Sequence, residues 1–318
     1  MHKKIGLIGA GEFGNFASDV INLLPNFKLA AIADTNEQAA YKLAKNYGST
    51  VYKDYHELLE DPEINLVMIN TPNHTHAQIV IEALDKGKRV LCEKPLGINR
   101  QEIQAVEKKL REAKGVLLVN YLLPHSTLYK KLQHIMRKEK YGNLKYVRIE
   151  NLATESKIKN GWYWEDSLSG GWFLTADIHF YDLLMFLKDE KWNVVNSYEF
   201  KKDNKTGALF TGLKSESGAL ANIFHDFGVD YSRAAFKAHF CFEKANVEVL
   251  GWVPISMKIK TKKSEKEINE TGEREHIYQK MVAKNLKDLA KMDHDKSIDK
   301  LRKVIAGSEI AFIAQESI

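Results

Sequence analysis

One short stretch restricts the fold of this chain more than any other: KKIGLIGAGEFG at 3–14, where an apolar run passes directly into Gly9, Gly11 and Gly14. The spacing is G-x-G-x-x-G, with a strand pattern before it and a helical pattern after it. In that setting each glycine has a task. The first allows a tight turn, the second lets backbone approach a pyrophosphate, and the third lets the helix pack closely on the strand. The pyrophosphate then rests on free N–H groups at the helix start, and Glu12 and Phe13 belong to the same cofactor-binding turn. Asp34 closes the next strand candidate, 34 − 14 = 20 residues beyond the last glycine. A carboxylate there accepts from both ribose hydroxyls and repels a 2′-phosphate. Thr35 and Asn36 follow with no Arg to hold one, so NAD is the expected cofactor and NADP the alternative.

The rest of the first third continues the same rhythm. KIGLIGA, KLAAIAD, TVYK, NLVMINT, RVLCEK and GVLLVNY read as strands, separated by amphipathic segments such as NEQAAYKLAKNYG, THAQIVIEALDKGK and NRQEIQAVEKKLREAKG. Strand–helix alternation at this spacing implies a parallel, doubly wound α/β sheet with right-handed crossovers. From about Leu144 the pattern changes to longer strands, several joined by hairpin-like turns, notably SESG at 215–218 and EKAN at 243–246. One strong helix is expected over about Trp172–Lys188, and two more close the chain. The expected organisation is therefore a Rossmann domain over 1–123, then an α+β domain over 124–318 with an open, mainly antiparallel sheet. Pro124 and the change of pattern set the boundary.

Composition narrows the function classes. The 318 residues carry 47 basic and 42 acidic side chains, a formal charge of +5, which reads as a solvated Lys-rich surface. The densest basic run, IKTKKSEK at 259–266, reads as an exposed strand and lacks the interleaved aromatics of single-stranded nucleic-acid platforms. Neither a nucleic-acid nor a membrane partner is expected: no segment approaches the apolar length of a membrane span, and Glu12 interrupts any signal-like start. Cys92 and Cys241 show no metal spacing, so no metal is expected, and Cys92 in RVLCEKP reads as a buried thiol. The cytoplasm is the expected location.

Three further strings, TPNHTH at 71–76, EKP at 93–95 and SGGWFLTADIHFYD at 169–182, resemble motifs of the glucose–fructose oxidoreductase, inositol dehydrogenase and rhizopine-catabolism (Gfo/Idh/MocA) family. With the glycine turn, the likeness spans the chain to about residue 190. The resemblance implies a Rossmann domain, an open-sheet domain, and an active site between them. It places Thr71, Pro72, Asn73 and His76 on the nicotinamide side of the cofactor site, with Glu93 and Lys94 from E-K-P beside them. It makes Lys94 the residue that polarises the substrate oxygen and His179 the acid–base group on the substrate hydroxyl. His74 matches no family position and reads as a solvent-facing or packing residue.

The chain also departs from the family pattern. Many sugar and polyol dehydrogenases of that family carry an acid four residues before the histidine, where this chain has Thr175. A hydroxyl can orient the ring or bond to substrate, but it brings no charge. Asp177 stands where the family has Gly, about 200° from His179 on an ideal helix, whereas Asp182 lies on the same face as the histidine. In WYWED, Trp162 and Trp164 share one face if extended and are candidates for stacking on a sugar; core packing is the competing reading.

The reading is an NAD(P)-dependent oxidoreductase that moves a hydride between nicotinamide and a secondary alcohol or ketone of a sugar, polyol or sugar derivative. Thr175, Trp162 and Trp164 are its weaker substrate contacts. Two alternatives remain: an enzyme that retains NAD for transient oxidation in elimination or glycoside hydrolysis, and a non-catalytic NAD(P)-binding regulator. The resemblance also implies a homodimer or homotetramer.

Overall fold

The computed structural model describes residues 2–154, 161–203, 205–229 and 234–318. The first part follows the alternating pattern: β1 Lys3–Ile8, α1 Glu12–Asn22, β2 Phe27–Ala33, α2 Glu37–Tyr47, β3 Thr50–Tyr52, α3 Tyr55–Glu60, β4 Leu66–Ile69, α4 His76–Asp85, β5 Arg89–Cys92, α5 Arg100–Ala113 and β6 Val116–Val119. The six strands pair in the order β3-β2-β1-β4-β5-β6, and every pairing is parallel. LVMI of β4 and VLLV of β6 are buried at every position, because helices on both faces leave a parallel strand no polar side.

Local side-chain chemistry stops and starts these helices. Gly48 ends α2 with φ 64°, a left-handed conformation that costs glycine nothing. Asn36, Asp54 and Asn99 each accept a backbone N–H at the start of α2, α3 and α5. Helix α1 is different: Gly11 stands at its N-cap and no side chain satisfies its first amides.

The second part begins with α6 Thr127–Arg137 and β7 Leu144–Leu152. A 3-10 turn Gly161–Trp164, the short α7 Asp166–Ser169, a π turn Phe173–Asp177 and α8 Ile178–Leu187 follow. Then come β8 Trp192–Lys202, β9 Lys205–Ser215, β10 Leu220–Asp226, β11 Ala235–Phe242, β12 Ala245–Leu250, β13 Ser256–Thr261 and β14 Glu265–Asn269. The chain ends with α9 Arg274–Leu289 and α10 His294–Glu316. The eight strands form one sheet in the order β14-β13-β12-β11-β7-β10-β9-β8. β7 and β10 run parallel and the other pairs antiparallel. The turns at 215–218 and 243–246 are hairpin connections: Gly218 N–H donates to Ser215 O at 3.0 Å in the first, and the second joins the antiparallel pair β11 and β12, with Cys241 opposite Asn246. The basic run at 259–266 is not one exposed strand: Thr261 and Ser264 close a turn through it, and β13 and β14 pair on either side.

Contacts divide the chain into two compact units, Met1–Tyr121 with Gln279–Val304, and Leu122–Tyr278 with Ile305–Ile318. Within the first, Ser297 Oγ donates to Leu117 O and accepts from Leu117 N–H, both at 2.8 Å, which fixes the start of α10 to β6. Arg89 Nε donates to Leu289 O at 3.1 Å, fixing the end of α9 to β5. Within the second, Tyr181 Oη of α8 lies 2.8 Å from Thr211 Oγ1 of β9, and Ser197 Oγ donates to Ala314 O of α10 at 2.7 Å. Val195, Tyr198, Phe200 and Phe224 of this sheet are exposed.

Candidate active site

In the first unit the candidate residues gather at the carboxyl ends of β1, β2, β4 and β5, where open α/β sheets bind ligands. The three glycines differ in the space around them. Gly9 has φ +100°, and a Cβ there would meet Asn70 O at 2.6 Å. A Cβ on Gly14 would meet Gly9 O at 2.2 Å, so only glycine lets α1 sit this close to the turn. A Cβ on Gly11 would meet nothing within 4 Å, which leaves the space above that backbone open. Together with the uncapped start of α1, the residues present fit a dinucleotide pyrophosphate. Glu12 is exposed at that start, and the half-buried Phe13 ring lies 5.9 Å from Phe16.

Asp34 follows β2 directly, and its carboxylate accepts Ala10 N–H at 2.6 Å and Asn36 N–H at 2.7 Å. Each oxygen retains a lone pair beyond these bonds, so the residues present fit a ribose diol beside the pyrophosphate cradle.

Past β4, Thr71 and Pro72 are half-buried and Asn73 is buried in a 3-10 turn. Thr75 Oγ1 lies 2.8 Å from Pro72 O and 2.7 Å from Thr71 Oγ1. His74 is exposed. His76 is 1% exposed, with Nδ1 2.7 Å from Pro95 O and Nε2 2.8 Å from Thr71 O. Both ring nitrogens are therefore engaged by backbone, and the imidazole links the loop after β4 to the loop after β5. Burial pushes its pKa down.

Glu93 and Lys94 leave β5, and the Lys94–Pro95 peptide is cis. Burial raises the Glu93 carboxyl to about 7, against the opposing pull of Asn120 and Lys94. Burial lowers the Lys94 ammonium, and the Glu93 charge opposes that shift. Behind them runs a chain that the sequence did not reveal: Asn285 of α9 donates to Asn120 Oδ1 at 2.7 Å, and Asn120 donates to Glu93 Oε1. Cys92 is fully buried, and burial holds its thiol well above the ordinary range, as its apolar surroundings suggested.

In the second unit His179 lies in the first turn of α8, half-buried, its ring meeting Trp252 edge-on at 4.9 Å. The helix expected over about 172–188 is interrupted. Residues Phe173–Asp177 form a π turn, and the helix proper starts at Ile178. Thr175, 3% exposed, donates its hydroxyl to Ser169 O at 3.0 Å. Asp177 pairs with a residue from elsewhere in the sequence, His225 of β10, at 2.8 Å. His225 escaped notice because it stands in an otherwise ordinary strand. The signal was there: it takes an inward position between Ile223 and Phe227, a polar residue on a buried face. Asp182 is 7% exposed.

The tryptophans need a correction. Residues 161–164 are a 3-10 turn, not an extended segment, so the two do not share a face through strand alternation. Trp162 stacks on Tyr163 at 3.9 Å, and Trp164 packs against Trp172 at 4.8 Å. Lys205 Nζ lies 4.9 Å from the Trp164 ring centre. Among the described residues no group of three or more His, Cys, Asp or Glu is arranged to hold a metal ion. Among them, too, no helix is long and apolar enough to cross a membrane.

Residues 3–121 match an oxidoreductase family described by its NAD-binding Rossmann fold, GFO_IDH_MocA. The chain is similar to myo-inositol 2-dehydrogenase of Thermotoga maritima, 26% identical over 228 residues, which covers 69% of this chain and 67% of that protein. It is also similar to scyllo-inositol 2-dehydrogenase (NAD(+)) of Bacillus subtilis, 27% identical over 233 residues, 69% of this chain and 66% of that one. The aligned stretch thus spans about two thirds of these relatives' length. A levoglucosan dehydrogenase solved with NADH and levoglucosan shares the fold, with a TM-score of 0.83, 17% identity, and coverage of 99% of this chain and 98% of that one. The glycine turn, the strand-end Asp34 and Lys94 and these likenesses agree: over residues 3–121 the chain belongs to the Gfo/Idh/MocA family of oxidoreductases.

Proposed function

We propose that the chain catalyses NAD-dependent interconversion of a secondary alcohol and a ketone on a sugar, polyol or sugar derivative. The observation that carries this reading is the gathering of Gly11, Asp34 and Lys94 at the carboxyl edge of one parallel sheet, with an uncapped helix start beside them. The nicotinamide, when bound, supplies the hydride acceptor or donor. Asp34 selects NAD over NADP, because a 2′-phosphate next to its carboxylate meets like charge. Thr71, Pro72 and Asn73 form the wall past β4, and His76 acts on it through the two backbone carbonyls it joins.

Lys94 stabilises negative charge on the substrate oxygen, a task suited to an ammonium in a partly desolvated setting. His179 takes or returns the proton of the reacting hydroxyl. Thr175, Trp162 and Trp164 are the candidate substrate contacts. Residues 1–123 bind the cofactor, with 279–304 packed in the same unit, and the remainder of 124–318 supplies the substrate and assembly surfaces. A homodimer or homotetramer fits the exposed Tyr198, Phe200 and Phe224 of the second sheet. The unpaired Cys92 and Cys241 suit a cytoplasmic location.

The test is a screen of sugars, polyols and amino sugars with NAD and with NADP separately, following reduced-cofactor absorbance. The expected result is turnover of at least one polyol or sugar with NAD preferred. No turnover with any of them, together with unaltered properties of a Lys94→Ala variant, sinks the enzymatic reading.

A further inference from the structure

The carboxylate missing from position 175 has a counterpart two residues on, in a different geometry. Asp177 is the last residue of the π turn and is fully buried. Its Oδ1 lies 2.8 Å from His225 Nδ1, and on the far side of the ring His225 Nε2 lies 2.7 Å from Asn151 Nδ2. An amide nitrogen only donates, so Nε2 accepts and Nδ1 carries the proton that is given to Asp177. Asn151 and His225 are direct register partners on the parallel strands β7 and β10. A buried hydrogen-bonded row therefore runs from the sheet into the turn that precedes His179. Phe227 lies against the His225 ring at 4.0 Å and Phe180 meets it edge-on at 5.7 Å, so the row is walled by aromatics.

The junction is where such a pin has the most effect. A π turn competes with α closure over the same residues, and the two differ in how many residues complete the turn. Exchanging one for the other rotates the helix beyond the turn by about 100° per residue. His179 is the second residue of α8, directly past that turn, so its ring direction depends on which closure is held. Thr175 brings no charge to this task, and its hydroxyl is given to Ser169 O. The other oxygen of Asp177, Oδ2, is buried with no hydrogen-bond partner among the described residues. A buried carboxylate is costly to retain, and the His225 bond is what makes it tolerable here.

We propose that Asp177 and His225, backed by Asn151, are positioning residues for His179: the row fastens the π turn to β10 and so sets the direction in which α8 presents the His179 imidazole. The proposal rests on the reading of His179 as the proton-moving group, and its test separates the two. The variants are Asp177→Asn, His225→Gln, their combination and Asn151→Ala, each in the full chain with ring-labelled histidine. The His179 signal is assigned by its loss in His179→Gln. The expected result is a displaced His179 ring resonance in Asp177→Asn and His225→Gln, with NADH affinity within twofold of the parent.

On the best substrate, kcat falls about 10²-fold, the scale of a small misplacement in a reacting group, while KM stays within threefold. The combined variant is no worse than Asp177→Asn alone, because the two act as one unit. If Asp177→Asn does not fold, Asn151→Ala carries the test with a smaller displacement in the same direction. An unmoved His179 resonance across the folded variants overturns the proposal. So does an unaltered kcat in Asp177→Asn when His179→Gln is inactive. A fully active His179→Gln refutes the catalytic reading of His179, and the resonance then still decides whether the row positions the ring.

Discussion

The Asp34 carboxylate accepts the backbone N–H of Ala10 at 2.6 Å, so the residue proposed to select the ribose also holds the glycine turn proposed to cradle the pyrophosphate. One substitution therefore acts on both. Asp34→Ala is expected to raise the NADH dissociation constant about 10- to 100-fold, the range for losing a hydrogen bond to a charged group. NADPH binding is expected to fall much less, because the repulsive charge leaves with the carboxylate. Fluorescence titration of both cofactors checks this, and an unchanged NADH-to-NADPH ratio contradicts the role given to Asp34.

Lys94 separates binding from chemistry. Lys94→Ala is expected to lower kcat about 10²- to 10³-fold, as for other single donors to a developing oxyanion, with NADH affinity within threefold. Lys94→Arg is not expected to restore the rate, since a planar guanidinium places its donors differently from a compact ammonium. Steady-state kinetics beside equilibrium titration give both quantities; equal losses in the two assign Lys94 to cofactor binding.

His76 is expected to matter for stability more than for chemistry. His76→Ala removes the ring between Pro95 O and Thr71 O; a neutral imidazole donates to one of them, and one buried acceptor left without its donor costs about 1–3 kcal/mol of unfolding free energy. Urea denaturation reads this directly. A loss under 0.5 kcal/mol, on the order of an ordinary surface substitution, shows that the loops stand without the histidine.

Glu93 gives a pH dependence whose sign follows from burial. Its carboxyl is raised from 4.5 to about 7 in the folded chain, so between those values the folded state holds a proton that the unfolded state has released. Stability is then lost as pH rises through that window and levels off above about 7. Glu93→Gln removes the titration while leaving an acceptor for Asn120. The stability of the variant relative to the parent is expected to grow from pH 5 to pH 7 and then stay constant, as read by urea titrations on the order of one pH unit apart. A flat difference across the range shows that Glu93 is ionised throughout.

The residues alone disclosed whatever local chemistry forces. Gly9 and Gly14 announced the turn because no other residue fits against Asn70 O and Gly9 O. Strand–helix alternation announced a parallel sheet because buried runs such as LVMI need helices on both faces. Asp34, Lys94 and the other strand-end candidates of the first unit were legible for the same reason, since strand ends in such a sheet point to one edge. Tertiary structure alone decided the rest. An amphipathic helix does not encode which sheet it will cover, so the packing of 279–304 with the first unit had to be seen. So did the π turn before α8 and the bond from Asp177 to His225, 48 residues away in sequence. A side chain's partner is fixed by which strands become neighbours, and that information lies in the folded chain as a whole and not in any stretch of it.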